Sequence, residues 1–181
     1  MFRISFAIFL TWLVSAQAFA QVINEIHFHP ACAVNYTPCP DAPIEFIELY
    51  NPTSLPIDLS GLHFIDGIEF EFGDDDTSGA GAYLVLADDA QGFAAHFGFA
   101  PFAQWAGKLS NKGETITLAD ANGIRDRVRY EDGSNTPGEF SVRADGEGPS
   151  LQLTDASADN ERSTPRDFER RGRFSVHLSH V

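Results

Sequence analysis

Past its first twenty residues this sequence seldom runs more than a handful of apolar positions without meeting Gly, Pro, Asn or Asp. Runs cut that short cannot build the apolar stripe of long helices; they fit strands joined by turns. "VINEIHFH" (Val22 to His29), "EFIELYN" (Glu45 to Asn51), "IDL", "LHFI" and "IEFEF" (Ile68 to Phe72) read as strands. "YLVLA" (Tyr83 to Ala87), continuous and apolar, reads as a central one. "TITLAD" and "IRDRVRY" are joined through Asn122-Gly123, a hairpin signal, with Arg125, Arg127 and Arg129 on one face and Val128 and Tyr130 on the other. "SLQLT" (Ser150 to Thr154) closes the series. One segment departs from period two: "DDAQGFAAHFG" spaces Phe93 and Phe97 by four, which predicts a short helix capped by Asp88 or Asp89 and stopped at Gly98. Eight or nine short strands with one helical excursion predict an all-β, two-sheet sandwich.

At 181 residues the chain is long enough for one domain with a proper core. Arg3, the apolar run "ISFAIFLTWLV" and the small residues Ala18 and Ala20 have the pattern of a secretory signal peptide over residues 1–20. That run is shorter than the roughly 20 residues a membrane-spanning helix needs. Cleavage after Ala20 is expected, giving a mature chain that starts at Gln21, has no transmembrane segment, and is exported to the periplasm, cell surface or extracellular space. Cys32 and Cys39, an even pair in a chain read as exported, are expected to form a disulfide. Residues 21–155 are read as the sandwich domain. Residues 156–181, polar and Arg-rich, are read as a tail dispensable for folding, or as a last edge strand in which Phe174, Val176 and Leu178 alternate with Ser175, His177 and Ser179. With 26 Asp and Glu against 12 Lys and Arg, the chain has a net charge of −14, which repels phosphate backbones and anionic lipid.

Candidate chemistry centres on two strands. Alternation puts Glu25, His27 and His29 on one face of the first, and H-x-H with a nearby carboxylate can bind zinc. Glu48, standing mid-strand between Phe46 and Tyr50, could complete a set of four. The alternative places the histidines at a sheet margin, hydrogen-bonding the next loop. Glu25 and Glu48 also satisfy the minimal pattern of an acid and base pair, as in glycoside hydrolysis, but nothing else in the sequence supports that chemistry. "GDDDTSG" (Gly73 to Gly79) has carboxylates for calcium without the spacing of an EF-hand loop, and a solvated turn explains it as well. "GAGAYL" lacks a Walker lysine, and no G-x-S-x-G is present. No catalytic motif is recognised.

"VINEIHFHP", "EFIELYNPTSLPIDLSGLHF", "YLVLADD", "KLSNKGETITLADANGIRDRVRYEDG" and "GPSLQL", in that order, resemble the lamin-tail domain, most of all its bacterial secreted members. The resemblance covers about Gln21 to Thr154. It implies an immunoglobulin-like β-sandwich used as a non-catalytic module that tethers or binds a protein or a cell-surface glycan. In nuclear lamins the same fold serves protein and DNA contacts; the acidic balance here argues against nucleic acid. The resemblance implies no catalytic residues and no cofactor. Glu25 and Glu48 match recurring acidic positions, which makes them, with Asn51, structural; Glu48 is then an acceptor whose donors are expected in the turn "NPT" that follows. The competing expectation is a metal-binding protein or metal-dependent hydrolase holding calcium or zinc through Glu25, His27, His29 and Glu48.

Overall fold

The computed structural model describes residues 21–30, 44–131, 150–153 and 174–177, the last four as backbone only. The expected signal peptide, Cys32 and Cys39 lie outside the described residues.

The strands are β1 (Val22–His27), β2 (Phe46–Tyr50), β3 (Ile57–Asp58), β4 (His63–Asp66), β5 (Thr77–Ser78), β6 (Tyr83–Ala87), β7 (Ala103–Gln104), β8 (Gly113–Asp120), β9 (Gly123–Glu131), β10 (Ser150–Leu153) and β11 (Phe174–His177); the helix α1 is Ala90–Phe97. A six-stranded sheet runs β11-β10-β1-β2-β6-β7, and a three-stranded sheet runs β4-β8-β9. The short β3-β5 ribbon stands apart. Between the two larger sheets lies one core. Ile23, Ile26, Phe28, Ile47, Leu49, Leu86 and Leu151 come from the first, and Phe64, Ile116, Leu118, Val128 and Tyr130 from the second. Within β2, β8 and β9 these residues fall on alternate positions, as the period-two reading requires, whereas on β1 Ile23 and Ile26 are three apart.

The β8–β9 hairpin pairs Asp120 with Gly123 across a two-residue turn, where Asp120 accepts from the Asn122 N–H at 2.8 Å. Its open end depends on Gly113, whose φ is +94°. A Cβ there would stand 2.5 Å from the Tyr130 carbonyl oxygen, so no other residue fits without moving the partner strand. At α1, Asp89 is the N-cap, accepting from the Gln91 and Gly92 N–H groups, and Gly98 ends the helix in the left-handed conformation. Phe93 and Phe97 both reach Phe46 on β2, edge to face at 5.7 Å.

One detail departs from the pattern in the sequence and two others add to it. Ile68–Phe72 is not a strand. It makes isolated bridges, Glu69 with Ala106 and His63 with Glu71, and doubles back on β4 through Phe64 N–H to Phe70 and Phe72 N–H to Leu62. Its alternation is still expressed in burial, with Ile68 and Phe72 inside and Glu69 and Glu71 out. Second, β6 is interior in its sheet, between β2 and β7, as a central strand should be, and its two ends differ in exposure. Phe93 and Phe97 cover its Ala87 end, whereas Tyr83 is 55% exposed. Third, β11 pairs with β10 from Ser150–His177 to Leu153–Phe174, so the sheet takes a strand from beyond residue 155.

Candidate functional site

The outer face of the six-stranded sheet is built around an irregularity in β1. Ile23 pairs with Leu49 and Glu25 with Glu48, so Asn24 is an extra residue with no counterpart on β2. This bulge sets Glu25 and Glu48 directly across from each other and frees Asn24 to reach the same spot. Its Nδ2 donates to Glu48 Oε1 at 2.7 Å. Glu25 is buried and accepts from the Ser150 hydroxyl of β10. Burial pushes the Glu48 carboxyl above its ordinary range, the Asn24 bond draws it back, and the Glu25 carboxylate adds to the rise. The donor to Glu48 is thus Asn24, 24 residues earlier, and not the "NPT" turn.

That turn is held by Asn51, which is fully buried. Its Nδ2 donates to the carbonyls of Leu55 and Gly79 at 2.9 and 2.7 Å, and its Oδ1 accepts from Thr53 N–H and hydroxyl. One side chain therefore joins the β2–β3 loop to the loop before β6.

Farther along the same face, Tyr50 of β2 and Tyr83 of β6 pair across the strands and stack, ring centroids 4.5 Å apart. The Tyr83 hydroxyl is held above its usual pKa by partial burial, Tyr50 and Glu48, so it stays a neutral donor. Toward the opposite end, His27 faces Phe46, and its Nδ1 lies 3.1 Å from the Ile44 carbonyl oxygen. His29 lies half-buried beyond the end of β1. Glu25, His27, His29 and Glu48 do not close on a common point: among the described residues no three His, Cys, Asp or Glu side chains group to hold a metal ion. In the acidic loop, Asp76 is committed to the Gly73 N–H at 2.7 Å, which closes the turn.

A second polar cluster, absent from the sequence reading, joins the two sheets at one end. Glu45, 7% exposed, accepts from Leu109 N–H at 2.7 Å, while Asp88 accepts from Glu45 N–H and pairs with Lys108. Glu114 accepts from the Tyr130 hydroxyl and Ser110 N–H. Burial lifts Glu45 to about 7, opposed by the Leu109 bond and Lys108 and helped by Asp88 and Glu114. Across the core, Asp126 of β9 accepts from Ile23 N–H at 2.6 Å and Arg127 N–H at 2.8 Å. Its position between Ile124 and Val128 on the inward face was the available signal. The partner, 103 residues away at the bulge, was not.

A family model described as Lamin Tail Domain matches residues 17–132, more than half of the chain. Neither a curated protein nor a solved structure matches significantly.

Proposed function

From the premise that this chain belongs to the Lamin Tail Domain family, an immunoglobulin-like sandwich, we propose that it works as an exported, non-catalytic binding module. Its task is to anchor at the cell surface or in the extracellular space through a protein or glycan partner. The observation that carries this reading is the division of the outer sheet face. Helix α1 packs its Phe93 and Phe97 over Phe46, Val85 and Ala87, and toward the other end of β2 and β6 the Tyr50–Tyr83 stack, with Tyr83 55% exposed, stands beside Glu48. An aromatic surface beside a carboxylate acceptor and a neutral phenol donor suits hydroxyl-rich or peptide ligands, which need apolar contact and hydrogen bonds together. Among the described residues no helix is long and apolar enough to cross a membrane. The test is pelleting of the purified protein with isolated cell envelopes, intact, protease-treated or stripped of polysaccharide. Saturable pelleting that one treatment abolishes supports the reading and names the partner class. Absence of pelleting with all three contradicts it.

A further inference from the structure

Gln21 stands one residue before β1, a strand flanked by β10 on one side and β2 on the other. It is 3% exposed, and neither its Oε1 nor its Nε2 meets a hydrogen-bond partner among the described residues. A buried primary amide without partners is costly, since it carries two donors and an acceptor out of water. The chain just after it is fixed: Val22 pairs with Tyr50, and Ile23 N–H is held by Asp126.

We propose that Gln21 is a modification site, converted to a pyroglutamyl residue at the start of the mature chain. This rests on the export reading, because it needs the bond between Ala20 and Gln21 to be cut. Cutting turns the Gln21 peptide nitrogen into an α-amine with a pKa of about 8, charged for much of the time at neutral pH. In the uncut chain the residue is 3% exposed, and a charge kept there on cutting would be costlier still than the amide. Ring closure removes both. The unprotonated amine nitrogen attacks Cδ of its own side chain, a C–N bond forms, and the Cδ–Nε2 bond breaks. Nε2 leaves as ammonia with one hydrogen from the amine. No co-reactant is required, and both reacting groups belong to one residue, so the step is intramolecular. The product is a neutral five-membered lactam with one N–H and one carbonyl, which leaves fewer polar groups to satisfy than an ammonium plus a primary amide.

The full chain is produced in an exporting bacterial host, stored at neutral pH, and its N-terminal peptide is identified by mass spectrometry. The expected peptide begins at position 21, is lighter by one ammonia than the unmodified sequence, and resists Edman degradation. A peptide that begins at Gln21 and keeps a free amine throughout overturns the lactam while leaving export intact. A chain that retains earlier residues, or begins elsewhere, overturns the cleavage and the lactam with it. Pyroglutamyl aminopeptidase should release the ring from the urea-unfolded protein and spare the native one. Equal release from both would overturn the burial on which the inference stands.

Discussion

Replacing Glu45 with glutamine should stabilise the protein at alkaline pH and leave it nearly unchanged in acid. Glu45 is 7% exposed and titrates at about 7 in the folded chain against 4.5 for an unperturbed carboxyl. A raised carboxyl means that, between those two values, the native state holds a proton that the unfolded chain has released. Folding is therefore favoured below pH 4.5 relative to above 7, and stability falls as pH rises through that window. The full difference is about 3 kcal/mol at 1.36 kcal/mol per unit, an upper figure because Lys108 and water can follow the charge. In Glu45→Gln the amide keeps an oxygen for Leu109 N–H without ever ionising, so the substitution removes this loss and preserves the bond between the β7–β8 connection and the residue that precedes β2. Urea unfolding of both proteins at pH 5 and pH 8 reads the effect, and differencing them cancels groups common to both, such as Glu48. The midpoints should be close at pH 5 and separate by pH 8, with the variant higher. A constant difference at the two pH values, or a variant less stable at pH 8, would refute the assignment of a buried, reluctant carboxylate.

Asp126→Ala should cost about 2–4 kcal/mol in urea unfolding, because Ile23 N–H is left buried without its charged acceptor; a loss under about 0.5 kcal/mol contradicts that role. Glu48→Gln should change stability by less than about 1 kcal/mol at pH 7, since Asn24 keeps an acceptor and repulsion from Glu25 disappears; a larger loss in thermal or urea unfolding would show that the charge itself is required. Ending the chain at Asp155 removes β11 and exposes β10 as an edge. The urea midpoint should fall by the equivalent of about 1–3 kcal/mol, with faster amide exchange in Ser150–Leu153; an unchanged midpoint would make β11 dispensable.

What the sequence revealed was whatever is encoded within a few residues. Period-two alternation located β1, β2, β8 and β9 and their inward residues, and Asp89, Phe93, Phe97 and Gly98 delimited α1. Alternation alone misread Ile68–Phe72, because inward-outward periodicity fixes burial but not continuous ladder bonding. The site was less legible for a related reason. The bulge at Asn24 is a property of the β1–β2 pair, and no count along β1 can show an extra residue that exists only relative to a partner. The chain order did suggest that Glu25 and Glu48 are neighbours, and they are directly opposed. Glu45 and Asp126 stayed hidden because their donors, Leu109 and Ile23, are 64 and 103 residues away. A strand's alternation can reveal an inward carboxylate, but only the packed sheets show what satisfies it.

Binding of the partner at the Tyr50–Tyr83 end of the outer face is tested most directly by envelope affinity after Tyr83→Ser. Tyr83 is exposed enough for the fold to tolerate the change, and matched urea midpoints would establish that it does. Loss of the stacked, partly desolvated ring should weaken binding about tenfold or more, as for an aromatic at the centre of an interface. Equal affinity of Tyr83→Ser and the unaltered protein, at equal stability, would contradict the claim and move the binding surface elsewhere on the sandwich.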